Sequence, residues 1–268
     1  MTSLVASDLL ASIISATRKS KSVREEQYSI EELESLTASK SPKGRMFWER
    51  LSRTETINVI AECKRRSPSK GLLTTSYDPV GLATEYEDHG AAAVSVLTES
   101  TFFDGSIEHL RAVSASVDIP VLCKDFIISE YQVLEACIAG ADAVLLIVAA
   151  LDQQMLLQLL RRVELLGMAA LVEVHDLGEL ERAVRAEASI VGVNNRNLRT
   201  LEVAVETSES LIRHVPNTIV SVAESGLADQ ASVLALRDSG YKGFLIGEAL
   251  MSSASPGLAL SEFVQGIT

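Results

Sequence analysis

Residues 60–71 carry the first chemically informative pattern, because a strand-like run ends in a basic, serine-rich turn. Alternate side chains of a strand face opposite sides, so Glu62 and Lys64 share the face of Ile60. Burying unpaired charge is costly, and a purely structural strand rarely carries both groups. We therefore predict that Glu62 and Lys64 enter an active site. The turn that follows, which contains Ser67, suits an anionic ligand.

Polar residues also end several of the later apolar runs. Lys124 shares the parity of Leu122, and Glu173 shares the parity of Leu171, so both should point to the interior that Lys64 faces. Asn194 follows another run, although asparagine also favours turns. Each of these residues, taken alone, also has a structural alternative. An acid and a lysine could form a structural ion pair, a lysine could extend to solvent, and a glutamate could cap a turn. The repetition at one end of apolar strands favours a catalytic site.

Two short glycine turns predict a second kind of site. One is Glu224-Ser225-Gly226, and the other is Ile246-Gly247-Glu248. In barrel proteins, the loops after the seventh and eighth strands often bind phosphate through backbone N–H groups and a helix N-terminus. The alternative is that these glycines only permit tight turns.

His175 lies beside Glu173 but has the opposite parity. No second histidine has the spacing of a metal ligand, so no metal site is predicted. We expect His175 to act in a loop or behind the catalytic residues rather than in catalysis.

The elements that must position these residues alternate regularly from residue 57 onward. Eight strands with intervening helices match an α/β fold, the (β/α)8 TIM barrel. A doubly wound open sheet would tend to show a glycine-rich dinucleotide turn after its first strand, which this sequence lacks. The predicted strands are 57–63, 92–97, 119–123, 143–148, 169–174, 190–193, 219–223 and 243–246. The predicted helices between them are 80–89, 107–116, 130–139, 152–166, 177–186, 205–213 and 229–239.

The N-terminal part precedes this alternation. Helical periodicity is predicted for residues 3–24, with shorter helices at 30–39 and 45–54. We predict one domain, 1–268, in which an N-terminal helical extension (1–50) packs on the barrel (57–268). The extension could either stabilise the barrel or cover its mouth.

Composition limits the function classes. A hydrophobic content of 47% among 268 residues allows a large core, and the net charge of −12 disfavours binding to nucleic acid or anionic membranes. No convincing targeting or membrane-spanning segment is present. The three cysteines form no CxxC pair and are expected to be reduced, which favours a cytoplasmic protein. They are Cys63, Cys123 and Cys137.

Taken together, the motifs resemble the indole-3-glycerol phosphate synthase family of tryptophan biosynthesis. The resemblance covers most of the chain between about residues 57 and 260, and the N-terminal extension is also similar. The motifs that carry it occur in the family's order at 60–69, 96–99, 124–126, 140–143, 171–175, 192–198, 223–226 and 244–248.

The resemblance implies ring closure, decarboxylation and dehydration of 1-(2-carboxyphenylamino)-1-deoxyribulose 5-phosphate, without a metal or organic cofactor. Lys124 resembles the principal general acid, which polarises and protonates the developing oxyanion. Lys64 would pair with the substrate carboxylate and share the acid work. Glu173 would assist proton removal during dehydration, and Glu62 would orient Lys64.

The remaining implied roles concern binding. Asn194 and Ser225 would donate or accept hydrogen bonds at the sugar and complete the catalytic set. Phe103 and Phe126 would sandwich the anthranilate ring. Further implied contacts are Ser67 and Arg196 at the anionic ends and Gly226, Gly247 and the Glu248 amide at the phosphate.

The sequence departs from the family pattern at a few loop positions, such as Glu187, where glycine often precedes strand six. Two alternative functions stay open. A phosphoribosylanthranilate isomerase-like barrel would use a cysteine and an aspartate, and a non-catalytic barrel would only bind a phosphorylated metabolite. A small phosphorylated substrate is the expected partner of a monomer, and association with other tryptophan-pathway enzymes stays open.

Overall fold

The structure is a computed structural model that describes residues 8–265. It contains eight parallel barrel strands: β1 (Asn58–Cys63), β2 (Ala93–Leu97), β3 (Val121–Lys124), β4 (Ala143–Ile147), β5 (Ala169–Val174), β6 (Ile190–Asn194), β7 (Val220–Glu224) and β8 (Gly243–Ile246). The strands pair in the order β1-β8-β7-β6-β5-β4-β3-β2 and close on β1. The predicted (β/α)8 barrel is therefore confirmed.

Helices precede and separate the strands. They are α1 (Leu9–Glu25), α2 (Ile30–Thr37), α3 (Gly44–Leu51), α4 (Pro79–Asp88), α5 (Ile107–Ser114), α6 (Glu130–Ala139), α7 (Gln153–Leu165), α8 (Leu177–Arg185), α9 (Glu206–Leu211), α10 (Gln230–Asp238), α11 (Glu248–Met251) and α12 (Pro256–Val264). Aspartate side chains accept backbone N–H groups at several helix starts, which fixes where these helices begin. Those aspartates are Asp78, Asp152, Asp176 and Asp229.

The observed elements differ from the predicted ones mainly at their ends. Residues 3–7 of the predicted first helix lie outside the described residues. Helices α11 and α12 were not predicted, and neither was a two-stranded hairpin, Arg66–Ser67 with Gly71–Leu72, in the loop after β1. Within the described residues, no helix has the length and apolar character needed to cross a membrane.

The strands divide their side chains between two buried layers. Ile60, Leu122 and Leu171 belong to the cluster that fills the barrel interior. Cys63 and Cys123 belong instead to the layer between the strands and the outer helices. This division follows the two-residue periodicity of strands, and it sends Glu62, Lys64, Lys124 and Glu173 toward the interior.

The N-terminal helices close both ends of the barrel. Ile13 of α1 lines the cavity at the C-terminal mouth and joins the interior cluster. At the opposite end, Leu51 of α3 joins the same cluster, and the Gly44 N–H donates to the Gly167 carbonyl. A Cβ at Gly44 would overlap the backbone at Met168, so glycine permits this close approach.

Glu187, just before β6, has a φ of +59°. Side chains other than glycine rarely adopt this left-handed conformation. The backbone therefore favours glycine, the residue that the family pattern leads us to expect here, and it makes Glu187 a strained residue.

Candidate active site

A cavity of about 520 Å³ opens at the C-terminal ends of the strands, where barrel proteins bind small molecules. We call it the mouth cavity. All the residues predicted from the sequence to form the site line it: Glu62, Lys64, Ser67, Phe103, Lys124, Phe126, Glu173, Asn194, Arg196, Ser225, Gly226, Gly247 and Glu248.

Glu62 and Lys64 form a close ion pair at the end of β1. Lys64 Nζ donates to Glu62 Oε1 at 2.5 Å, and the Glu62 side chain is only 4% exposed. Burial opposes ionisation, but the positive charges of Lys64 and Lys124 outweigh it and lower the pKa of Glu62. Glu62 is thus held as a carboxylate that orients Lys64.

Lys124, the last residue of β3, lies between two buried carboxylates. Its Nζ is 3.7 Å from Glu173 Oε2 on β5 and 3.5 Å from Glu224 Oε2 on β7. Both glutamate side chains are 1% exposed. One ammonium group is therefore shared by two carboxyl groups deep in the cavity.

The mutual interactions of Lys124, Glu173 and Glu224 decide which of these three groups are ionised. Burial opposes the charged form of Lys124, but Glu224, Glu173 and Glu62 outweigh it and raise its pKa. Burial also opposes ionisation of Glu173, but Lys124 and His175 lower its pKa. The pKa of Glu224 is raised by burial and by repulsion from the other carboxylates. The site thus holds an ammonium and one firmly ionised carboxylate beside a carboxyl group that binds its proton tightly.

Glu224 is a member of the site that the sequence reasoning left out. Its parity with Val222, which lies in the barrel interior, was the available signal. Gly192 on β6 supplies the space for this side chain, because a Cβ at Gly192 would overlap Glu224 Oε1. The need for glycine here is steric rather than conformational.

His175 approaches Glu173 from the side that does not line the cavity. Its Nε2 is 3.3 Å from Glu173 Oε1, and its Nδ1 is 3.1 Å from Glu179 Oε2. Burial would lower the pKa of His175, but Glu173 and Glu179 raise it to about 10. His175 is therefore an imidazolium around neutral pH, in the supporting position predicted from its parity.

The turns after β7 and β8 contain glycine for different structural reasons. Ser225 and Gly226 both have positive φ, +64° and +77°, so the chain reverses sharply after β7. Gly247 has a φ of −129°, which other residues also adopt. A Cβ at Gly247 would overlap Glu62 Oε1, so this glycine makes room for the Glu62 carboxylate.

Charged side chains next to the second turn balance one another. Glu248 Oε2 is 3.3 Å from Arg196 Nη2, and Glu248 Oε1 is 3.4 Å from Lys70 Nζ. Ser67 is buried on the same loop as Lys70, and its hydroxyl accepts the Lys70 backbone N–H. Two cations, a hydroxyl and the start of α11 therefore line this end of the cavity.

Phe103 and Phe126 form an apolar wall. Their ring centroids are 6.0 Å apart and their planes are inclined by 37°. Two stacked gaps of about 3.4 Å would need more room than this, so the rings contact each other and leave no slot between them. An aromatic ligand would lie against this wall, or the rings would have to separate to sandwich it.

No group of three or more His, Cys, Asp or Glu side chains in residues 8–265 is arranged to hold a metal ion. The fold and the site define a (β/α)8-barrel protein whose mouth cavity joins a lysine–carboxylate cluster to an end lined by Lys70, Arg196 and the start of α11. The family profile for Indole-3-glycerol phosphate synthase matches residues 10–263. The chain belongs to the indole-3-glycerol phosphate synthase family.

Curated relatives carry the same family name. The chain is 55% identical over 212 residues to "Indole-3-glycerol phosphate synthase" of Parafrankia sp. (strain EAN1pec), covering 79% of each protein. It is 46% identical over 256 residues to "Indole-3-glycerol phosphate synthase 1" of Streptomyces coelicolor, covering 96% of this chain and 94% of the relative. The resemblance expected from the motifs is therefore confirmed.

Solved structures at low identity share the fold alone. "Native KDPGal structure" has a TM-score of 0.56 and 15% identity, covering 76% of this chain and 91% of the other. A designed cube-shaped, highly porous protein cage has a TM-score of 0.57 and 16% identity. The match covers 77% of this chain and 70% of the other.

Proposed function

We propose that the protein is an indole-3-glycerol phosphate synthase, a carbon–carbon lyase of the carboxy-lyase type that acts in the cytoplasm. Its substrate would be 1-(2-carboxyphenylamino)-1-deoxyribulose 5-phosphate, and its products indole-3-glycerol phosphate, carbon dioxide and water. The observation that carries this proposal is the ammonium of Lys124 between Glu173 and Glu224, inside one cavity with Lys64 and the end lined by Lys70 and Arg196.

Ring closure needs a group that stabilises negative charge on the ribulose carbonyl oxygen. Lys124 remains an ammonium because the neighbouring carboxylates raise its pKa, and it can polarise and protonate that oxygen. Lys64 would pair with the substrate carboxylate until carbon dioxide leaves. Its contact with Glu62 at 2.5 Å supports an oriented rather than a mobile ammonium.

Dehydration follows decarboxylation and needs a base. Glu173 fits this role because it lines the cavity and its lowered pKa keeps it ionised, so that it is free to accept a proton. Glu224, whose pKa is raised, is suited to hold a proton near the departing hydroxyl. Asn194 and Ser225 would complete the hydrogen bonds to the sugar.

The residues lining the cavity support one orientation of the substrate. The phosphate would bind at the turns of Gly226 and Gly247, where the Glu248 amide and Arg196 also lie. The anthranilate ring would bind at the apolar wall.

The isomerase-like alternative fits this site less well. Cys63 is fully buried in the layer outside the barrel strands, and burial raises its thiol pKa, so it does not offer a thiol to the cavity.

Adding the carboxyphenylamino substrate and recording indole fluorescence tests the proposal. Absence of fluorescence with turnover of phosphoribosylanthranilate would favour an isomerase, whereas substrate binding without any turnover would favour a non-catalytic barrel.

A further inference from the structure

The two oxygens of the Glu173 carboxylate have different neighbours. Oε2 faces Lys124 across the cavity at 3.7 Å, whereas Oε1 lies 3.3 Å from His175 Nε2 on the far side. Oε1 is buried and receives no well-aligned hydrogen bond from the described residues. The imidazole contact is thus an ion-pair contact rather than a straight hydrogen bond.

Glu179 holds the imidazole in this position. Its Oε2 accepts the His175 backbone N–H at 2.8 Å and lies 3.1 Å from His175 Nδ1. Glu179 is itself fixed in the first turn of α8, because its N–H donates to the Asp176 side chain. Carboxylates therefore face both ring nitrogens, and an imidazole satisfies two acceptors only when both nitrogens carry protons.

A second positive charge matters because Lys124 is shared. One ammonium can neutralise one of the two buried carboxylates, Glu173 and Glu224, but not both. His175 adds its charge on the Glu173 side. We infer that His175 is a positioning residue for the proposed reaction: held by Glu179, its imidazolium orients the Glu173 carboxylate and keeps Glu173, rather than Glu224, in the anionic form.

This inference rests on the proposed function and adds a residue that acts through Glu173 without lining the cavity. The charged groups around the pair are Lys124 from β3, Glu62 from β1, Glu224 from β7 and Glu179 from α8. Arg182, also on α8, donates to the Val148 and Leu151 carbonyls. The raised pKa of His175 and the lowered pKa of Glu173 agree with the geometry.

The kinetic test uses His175→Gln, which keeps a donor toward Glu173 but removes the charge. Without the imidazolium, the pKa of Glu173 rises, so the acidic limb of the kcat profile should move up by about 1 pH unit. Turnover at the acidic end should fall about tenfold, while KM should change less than about twofold. Arg185→Gln is the matched control, because it removes a positive charge from an exposed position of α8.

A second readout does not require turnover. NMR titration of His175 in the wild type should show the ring protonated at pH 8. In Glu179→Gln the ring should lose its proton at lower pH than in the wild type, while Glu181→Gln should leave the titration unchanged. This variant also serves if His175→Gln does not fold.

The outcomes separate the two proposals. A wild type that makes no indole product refutes the proposed function, whatever the NMR titration shows. The positioning role is wrong if His175 titrates near its ordinary value of about 6.5 in the folded wild type. It is equally wrong if an active, folded His175→Gln has the pH profile of the wild type.

Discussion

Replacing Lys124 by methionine should affect stability and catalysis in a way that depends on pH. The substitution keeps the length of the apolar stem but removes the charge shared by Glu173 and Glu224. At an effective dielectric of about 20, the 3.7 Å contact between Lys124 Nζ and the ionised Glu173 carboxylate has a gross attraction of about 4–5 kcal/mol. Desolvation of both groups offsets much of that attraction, so the net contribution of this contact is smaller.

Protonation of Glu173 sets the upper limit of the stability that the variant loses. In the wild type, the lowered pKa of Glu173 contributes stability that is present above the ordinary carboxyl pKa. In the variant, Glu173 instead binds a proton in the folded state, at about 1.4 kcal/mol for each pH unit above about 4.3. We therefore expect destabilisation of up to about 5 kcal/mol at pH 8 but only about 1–2 kcal/mol at pH 5.5.

Urea unfolding at both pH values measures this difference, and indole fluorescence measures turnover, which should fall by about 10²–10⁴. Lys19→Met is the matched control, because it removes one positive charge from an exposed position of α1. An equal stability loss at the two pH values would show that Glu173 does not depend on Lys124 for its ionisation. More than half of the wild-type kcat in the variant would refute the role of Lys124 as the acid.

Three further substitutions test other parts of the structure. Gly192→Ala should displace the Glu224 side chain and lower kcat more than tenfold, measured by indole fluorescence, because a Cβ overlaps Glu224 Oε1. Arg24→Gln breaks the two contacts of 2.6 and 2.9 Å that tie α1 to Glu135 on α6, and proteolysis should then cut α1 faster. Glu187→Gly should raise the free energy of unfolding by about 0.5–1 kcal/mol, since it relieves a left-handed backbone.

The substitutions of Gly192 and Glu187 each have a counterpart in the same chain. Gly178→Ala lies on α8 with only the Asp176 side chain near its added Cβ, so it should leave kcat unchanged. Gly167→Ala has a φ of +72° and no contact for a Cβ, so it should lose about 1 kcal/mol through backbone strain alone. Unchanged proteolysis of α1 in Arg24→Gln, or unchanged stability in Glu187→Gly, would contradict the corresponding argument.

Local periodicity made much of the site predictable. A strand alternates its side chains every two residues whatever surrounds it, so the sequence alone placed Glu62, Lys64, Lys124 and Glu173 on the interior face. The same rule predicted a supporting position for His175 and would have included Glu224 if it had been applied to β7. The eight strands followed from regular alternation with helices, which only a few architectures satisfy.

Tertiary structure decided what depends on the pairing of distant strands. In the sequence, Gly247 looks like a turn residue and Gly192 like an ordinary strand residue. Each makes space for a glutamate on the neighbouring strand, which only the barrel register brings there. The sharing of Lys124 between β5 and β7 likewise arises across the barrel interior. Sequence determined which side chains face inward, because that is a local property of the backbone. Which charges meet depends on barrel closure, which joins residues far apart in the chain.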